Sequence, residues 1–213
     1  MIDFTKATRS TPELPLSLNI GLQLSISVWI KLPPPISGHF LHLWTFPRSD
    51  EGPGLSFVQM HLYDTNTYFT CQQTGIEFID NRPKTEDWQH VVLTVQASTP
   101  GNKVALYSNG KFIEEITMST DRLVSPASNP QQGFVLGQDI DGSSIGTSDE
   151  SFRGQMTKLY IYDYVLTDED IKACYEHREP VDGRIVWWEE FQGLSTSNDD
   201  VQEASYPEQF YYH

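Results

Sequence analysis

The chain has 213 residues, of which 29 are acidic and 14 are basic, so its formal net charge is −15 and its isoelectric point lies near 4.6. A protein this acidic is unsuited to binding nucleic acid or anionic lipid, because binding either of these negatively charged partners requires a basic protein surface. With 38% hydrophobic and 20% charged residues, the chain is too apolar to be disordered and too polar to span a membrane. We therefore expect a globular protein that binds no nucleic acid and does not insert into a membrane.

Two features of the chain bear on its cellular compartment. The residues after Met1 do not follow the order of a signal peptide, in which a basic segment precedes an apolar one and a small-residue cleavage site. We therefore expect either an intracellular protein or a domain cut from a longer extracellular or cell-surface protein. The two cysteines, Cys71 and Cys174, are too few for a disulfide framework, and the sequence leaves open whether they form one long-range bridge.

Alternating apolar and polar residues predict β-strands, and the clearest alternation covers residues 22–32. Successive side chains of a strand point to opposite faces, so every second residue shares one face. The polar set includes Ser25 and Ser27, and Trp29 lies on this side as well, away from the apolar set. We expect a half-buried strand that ends at the prolines of residues 33–35. The apolar set is Leu22, Leu24, Ile26, Val28, Ile30 and Leu32.

The strongest turn signal is Asn109-Gly110, because both residue types tolerate the positive φ angles of a type I′ turn. It predicts a hairpin between strands over residues 103–108 and 111–117. Strands that recur about every dozen residues, with Pro, Gly, Asn and Asp between them, are typical of an all-β sandwich. The other predicted strands cover residues 40–46, 55–63, 67–72, 75–79, 88–95, 133–136, 154–164 and 185–191.

One helix, over residues 168–176, interrupts this pattern of strands. Thr167 can cap its first turn, and Asp170 stands at the capping-box position. We expect the helix to cover an edge or a face of a sheet. Its apolar stripe consists of Ile171, Cys174 and Tyr175.

The remaining organisation of the chain is simple. We find no internal repeat, and we expect one domain over residues 1–192 followed by an acidic, aromatic-ended tail over residues 193–213. Exposed aromatic rings could bind a glycan, but the row of Tyr160, Tyr162 and Tyr164 fits packing beneath the helix better.

The segment 137–154 concentrates acidic residues in a loop rich in Gly and Ser. Carboxylates this close repel one another unless a cation or an arginine neutralises them, and oxygen ligands in a flexible loop suit Ca²⁺. The alternative is a solvated acidic loop on an already acidic protein. Part of the spacing matches an EF-hand, but Ser144 stands where that loop requires Gly, and both flanks are predicted strands. The acidic residues are Asp139, Asp141, Asp149 and Glu150.

These motifs carry a resemblance to known families. The segments GFVLGQDID (133–141), ESFRG (150–154) and LYIYDYVLTDEDI (159–171) closely resemble the pentraxin signature region. The segments LSISVWI (24–30), WQHV (88–91) and YSNGK (107–111) are similar to laminin-G-like domains. The resemblance runs from about residue 2 to residue 191 and implies a concanavalin A-like jelly roll of two antiparallel sheets. The match after residue 133 is specific to pentraxins, whereas the earlier matches are general to the superfamily.

The resemblance also implies a calcium site, because pentraxins bind two adjacent calcium ions with an early acidic pair and the acid-rich loop. In this chain Asp149 would replace an acid expected near residue 147, so we expect one or two Ca²⁺ ions. The disulfide of pentraxins would join positions near Ser27 and Val92, neither of which is cysteine, and this marks a divergent relative. The implied ligands are Asp50, Glu51, Asp139, the carbonyl of Ile140, Asp141, Asp149 and Glu150.

The sequence argues against an enzyme. Glycosidases of this fold place acids at alternate positions of one strand, as in Glu-x-Asp-x-x-Glu, so that two carboxylates flank the scissile bond. This chain lacks that spacing, and it also lacks a phosphate-binding loop.

We expect a non-catalytic recognition module in which calcium orders loops and helps to present a ligand site. The resemblance implies a glycan, a phospho-ligand or a protein as the ligand, and it allows a homo-oligomer. The alternative is a calcium-independent structural or interaction domain of a larger protein, as in cell adhesion.

Overall fold

Strands form most of the described part of the chain. The computed structural model describes residues 2–4, 13–15, 23–32, 58–62, 66–71, 74–79, 87–96, 101–118, 133–135, 140–141, 144–145, 152, 154–186 and 202–203. The strands are β1 (Ile2–Phe4), β2 (Glu13–Pro15), β3 (Gln23–Lys31), β4 (Val58–Leu62), β5 (Asn66–Cys71), β6 (Thr74–Ile79), β7 (Gln89–Gln96), β8 (Asn102–Ser108), β9 (Lys111–Met118), β10 (Gly133–Val135), β11 (Ile140–Asp141), β12 (Ser144–Ile145), β13 (Gly154–Tyr162), β14 (Arg184–Val186) and β15 (Gln202–Glu203), and the helix α1 is Asp168–His177.

Two antiparallel sheets organise the fold, as the sequence predicts. The larger follows the order β15-β1-β13-β3-β7-β8-β9, with β14 also paired to β13, and the smaller follows β4-β5-β6. Two short pairs, β2 with β10 and β11 with β12, complete the pairing among the described residues. Side chains from both sheets join one apolar core, because Met60, Phe69 and Phe78 of the smaller sheet belong to the same cluster as the apolar face of β3. This is the sandwich arrangement expected for an all-β chain of this kind.

The apolar face of β3 lies in the core as predicted. Leu24, Ile26, Val28 and Ile30 are all buried, whereas Trp29 belongs to the opposite face and stays outside this core cluster. β3 pairs with β7 on one side and with β13 on the other, so it is held along most of its length.

The prediction that β3 is half-buried is wrong, because its polar face is covered too. Ser25 and Ser27 are buried on this face, and Trp29 is only 4% exposed. The Ser25 hydroxyl donates to the carbonyl of Tyr164 at 2.7 Å and accepts from the amide of Leu166 at 2.9 Å, in the segment that leads into α1. The alternation therefore marks a face that packs against protein instead of water.

The tyrosines of β13 pack on this covered face, as predicted. Tyr160 and Tyr162 are the register partners of Ser27 and Ser25, and both are buried. Tyr164 lies beyond the end of β13, is partly exposed, and donates its hydroxyl to the carbonyl of Asp182 at 2.7 Å.

The Asn109-Gly110 turn connects β8 and β9 as predicted. Both residues have positive φ, 50° at Asn109 and 73° at Gly110, which few residue types adopt easily. Asn109 also binds β7 twice: its amide donates to the carbonyl of His90 at 2.8 Å, and its side-chain oxygen accepts from the amide of His90 at 2.9 Å. A side chain at Gly110 would come within 3.0 Å of the Tyr175 ring, so the turn also contacts the helix.

Helix α1 has the predicted cap and nearly the predicted bounds. The Thr167 side chain accepts from the amide of Asp170 at 3.1 Å, and the Asp170 carboxylate accepts from the amide of Thr167 at 3.0 Å. Ile171 and Cys174 face the sheet and are buried. Within the described ranges, no helix is long and apolar enough to cross a membrane.

The sequence missed the strands that are too short to show a period. β2, β11, β12 and β15 have two or three residues each. β15 comes from the predicted tail and pairs with β1 at the edge of the larger sheet. Of the predicted strand 185–191, residues 185 and 186 belong to β14, and the rest lies outside the described residues, as does the predicted strand 40–46.

The buried position of Ile26 gives a direct test of the core. Ile26→Ala should lower the free energy of unfolding by about 2–5 kcal/mol, because it leaves a cavity between the two sheets. Urea denaturation measures this, with Gln23→Ala at the exposed start of the same strand as the control. A loss for Ile26→Ala no larger than that of the control would contradict the sandwich core.

The cysteines give a second test. Cys174 is a free, buried thiol, whereas the side chain of Cys71 lies outside the described part of the structure. Reductant should leave the melting temperature unchanged, and a non-reducing mass measurement should show two thiols. A bridge would close a loop of about a hundred residues and contribute roughly 4–5 kcal/mol. A drop in melting temperature on reduction would therefore contradict the free thiol.

Candidate functional site

The acidic loop lies between two strands, as the sequence predicts. β10 precedes it and β13 follows it, so an EF-hand, which needs helices on both sides, is excluded. Within the loop, β11 and β12 form an antiparallel pair in which Ile140 is opposite Ile145 and Asp141 is opposite Ser144. The main chain at two predicted ligand positions is therefore fixed by strand pairing.

The other predicted ligands fall outside the described residues. These are Asp50, Glu51, Asp139, Asp149 and Glu150, and for Ile140 and Asp141 the structure describes the main chain alone. Within the described part of the chain, no three His, Cys, Asp or Glu side chains are grouped closely enough to hold a metal ion. The calcium set therefore stays a prediction.

The end of the acidic loop is packed tightly against the larger sheet. Phe152 is 1% exposed and belongs to the apolar core. Gly154, the first residue of β13, has φ of 156°, and a side chain there would come within 2.5 Å of the Lys31 carbonyl and 2.9 Å of the Phe152 ring. Glycine is needed at this position because β3 and the Phe152 ring leave no space for a Cβ atom.

The covered face of the larger sheet holds a buried histidine that sequence reasoning passed over. His90 is 1% exposed, and its Nε2 lies 2.8 Å from the Ser27 hydroxyl. Its ring stacks on Trp29 at 5.1 Å, and Trp29 in turn stacks on Tyr175 of α1 at 5.8 Å. The only signal in the sequence was the WQHV segment, which indicates a strand and says nothing of a side-chain role.

Burial controls the ionisation of this face. Desolvation lowers the pKa of His90 to about 3, so the ring is neutral near pH 7. Burial also raises the pKa of the Tyr162 hydroxyl and of the Cys174 thiol, which face each other beneath α1. Groups held in their neutral forms here stabilise packing and are unsuited to acid–base chemistry near pH 7.

Basic side chains surround the end of α1. Lys158 donates to the carbonyl of Arg178 and pairs with Glu179 at 3.4 Å, while the Arg178 guanidinium lies 5.4 Å from the Trp29 ring centre. The depression between this end of the helix and the sheet has no room for even a water molecule. It is lined by Ser27, Trp29, His90, Lys158, Tyr160, Cys174, Arg178, Glu179 and Pro180. In the part of the chain that the structure describes, this face is a packed structural layer.

His90 gives a pH-dependent test of the covered face. Its folded pKa lies below its unfolded value of about 6.5, so the unfolded state binds the extra proton and stability is lost as the pH falls from about 6.5 toward 3. Between pH 6.5 and pH 5 the loss should be about 2 kcal/mol.

Urea denaturation at each pH measures this loss. His90→Gln should remove it, whereas His177→Gln, at the exposed end of α1, should keep it. Equal pH slopes for wild type and His90→Gln would contradict a buried, neutral His90.

Comparisons with known proteins agree with this architecture. A family profile described as "Concanavalin A-like lectin/glucanases superfamily" matches residues 6–172. Jeltraxin from Lepidobatrachus laevis is 31% identical over 110 residues, which cover 50% of this chain and 45% of Jeltraxin. The matched region thus spans less than half of the length of that relative.

Solved structures share the fold at low sequence identity. The native heptameric SAP-like pentraxin from Limulus polyphemus has a TM-score of 0.60 and 17% identity, and the match covers 94% of this chain and 86% of that chain. A sialidase carbohydrate-binding module (CBM40) from Ruminococcus gnavus, bound to α2,3-sialyllactose, has a TM-score of 0.53 and 14% identity, and covers 72% of this chain and 82% of its own.

Proposed function

Because the chain belongs to the concanavalin A-like lectin/glucanase superfamily, we propose that it is a non-catalytic recognition module in which loop 137–154 binds calcium and presents a ligand site. The module acts outside the cell or at its surface. The resemblance to pentraxins is confirmed by Jeltraxin and by the Limulus fold, and it supports this assignment. The missing glycosidase spacing supports a binding role without catalysis.

The strand pair inside the acidic loop is the observation that carries the calcium part of the proposal. β11 and β12 fix the main chain at Ile140 and Asp141, so these two ligand positions need little ordering when an ion binds. The donors in the loop are carboxylates and a main-chain carbonyl. This all-oxygen set fits Ca²⁺, whereas zinc prefers nitrogen and sulfur.

The proposed ligands come from two parts of the chain. The loop provides Asp139, Asp141 and Glu150 with the neutral carbonyl of Ile140, and Asp149 takes the place of an acid expected near residue 147. Asp50 and Glu51 add the early acidic pair. When bound, the ion supplies the positive charge that lets these carboxylates lie close together.

A glycan is the ligand that we favour, with a phospho-ligand or a protein as the other candidates. The fold shared with a module bound to sialyllactose supports a glycan, and we assign its site to the acidic loop. The Limulus pentraxin is heptameric, which supports a homo-oligomer for this chain.

Calcium-dependent melting tests the proposal. With a dissociation constant in the rough 10⁻⁴ to 10⁻³ M range of extracellular modules, about 5 mM Ca²⁺ should stabilise the wild type by about 1–2 kcal/mol. Asp139→Asn/Asp141→Asn should abolish this gain, because it removes two carboxylates from the loop. The measurement is a melting curve in calcium and in a chelator.

The matched control removes the same charge elsewhere. Glu114→Gln/Asp182→Asn changes two exposed acids on β9 and after α1, and it should keep the full response to calcium. If the wild type melts at the same temperature with and without calcium, the better assignment is a calcium-independent interaction domain.

A further inference from the structure

We infer that residues 163–183, which include α1, form a flap that lifts from the larger sheet when His90 beneath it takes up a proton. The two ends of this flap lie together, because Tyr162 at the end of β13 and Arg184 at the start of β14 are register partners. The flap therefore leaves the sheet and returns to it at one point. The inference concerns the covered face of the sheet and does not depend on the proposed calcium site.

The flap can lift without separating the two sheets. It packs on the polar face of β3, while the opposite face of that strand belongs to the core shared with the smaller sheet. The hydroxyls of Ser25 and Ser27 would bind water once the flap has left. Within the ten-residue helix, Ile171 and Cys174 are the buried side chains. A helix of this length is marginal in water by itself, so local opening of the flap is less costly than global unfolding.

His90 is held under the flap in a position that suits only the neutral ring. Its Nε2 lies 2.8 Å from the Ser27 hydroxyl, and its buried Nδ1 has no hydrogen-bond partner in the described part of the chain. The ring stacks on Trp29 at 5.1 Å and on Tyr175 of α1 at 6.2 Å. The depression beside it has no room for water. A second ring proton would therefore have no acceptor while the flap is closed.

The charged groups around His90 also oppose a positive ring. The depression is lined by two basic side chains, Lys158 of β13 and Arg178 after α1, and by one acid, Glu179. Glu179 is 72% exposed and already pairs with Lys158 at 3.4 Å. The other side chains that line the depression or stack on the ring are uncharged near pH 7, namely Ser27, Trp29, Tyr160, Cys174 and Tyr175.

Proton binding links the pH to the position of the flap. Burial lowers the pKa of His90 to about 3 in the closed state, whereas an open flap returns the ring to water and to a pKa of about 6.5. The open state therefore binds the proton more tightly, and the closed state loses stability as the pH falls below about 6.5. From pH 7.5 to pH 5.5 the ratio of open to closed flap should rise about tenfold.

Hydrogen exchange of the main-chain amides measures this ratio. Protection factors are compared at pH 7.5 and pH 5.5, because they exclude the intrinsic effect of pH on exchange. In the wild type, the protection of the α1 amides should fall about tenfold between these pH values. The α1 amides should also be less protected than those of β8 at both pH values, since the flap opens while the sheet stays paired.

Three variants separate the role of His90 from a general loosening of the flap. His90→Gln should remove the fall in protection, because glutamine does not titrate. His177→Gln, at the exposed end of α1, should keep it. Tyr107→Phe removes the hydrogen bond of 2.9 Å from the Tyr107 hydroxyl to the Asp168 carboxylate. This variant keeps His90, so it should lower the protection of α1 by the same factor at both pH values.

Three outcomes would overturn the inference. Equal protection of α1 and β8 at both pH values would mean that the helix opens only when the whole fold does. Protection of α1 that does not fall between the two pH values would remove the dependence on pH, and a fall that persists in His90→Gln would assign it to another group. If His90→Gln does not fold, His90→Phe keeps an aromatic ring against Trp29 and takes its place.

Discussion

Burial of β3 on both faces is the constraint on which the rest of the fold depends. One face of the strand enters the core between the sheets, and the other is covered by α1 and the segment before it. A buried polar face must satisfy its hydrogen-bonding groups internally, because each unpaired group costs about 1–3 kcal/mol. Ser25 does so by bridging the main chain at Tyr164 and Leu166, and Ser27 does so with His90. The helix is therefore fixed by the polar groups it covers as well as by its apolar stripe.

The layer beneath α1 is uncharged at its centre. Beneath α1, burial keeps His90, Tyr162 and Cys174 in their neutral forms, and no space remains for a ligand. The acidic loop differs in composition, and under the proposed function a cation would offset the repulsion between its carboxylates. A packed sandwich with an acidic loop between β10 and β13 suits the proposed binding module, in which rigid strands carry a loop that binds the ligand.

The sequence predicted the elements that depend on a few neighbouring residues. The Asn109-Gly110 turn needs positive φ, and the Thr167–Asp170 cap needs two side chains three residues apart, so both can be recognised from a few residues. The covered face of β3 could not be predicted in this way. Serines that alternate with apolar residues look the same whether they face water or a helix, and the groups that bind Ser25 lie 139 and 141 residues further along the chain. His90 was missed for the same reason, because its burial depends on Tyr175 and the helix above it. For the acidic loop, the sequence predicted the strands that flank it, whereas its two-residue strands are too short to show any period.

The distance in sequence between β3 and its partners also sets an order of events during synthesis. β7 can pair with β3, β8 with β7 and β9 with β8 soon after residue 118 has been made, because all three strands precede that point in the chain. β13 and α1 come about 130 residues after β3. Translation adds roughly 5–20 residues per second, so several seconds or more pass between the synthesis of β3 and the synthesis of the elements that cover its polar face. During that interval the Trp29 side chain and the unpaired edge of β3 are exposed to solvent. A nascent chain that stalls before residue 154 would therefore be prone to aggregate.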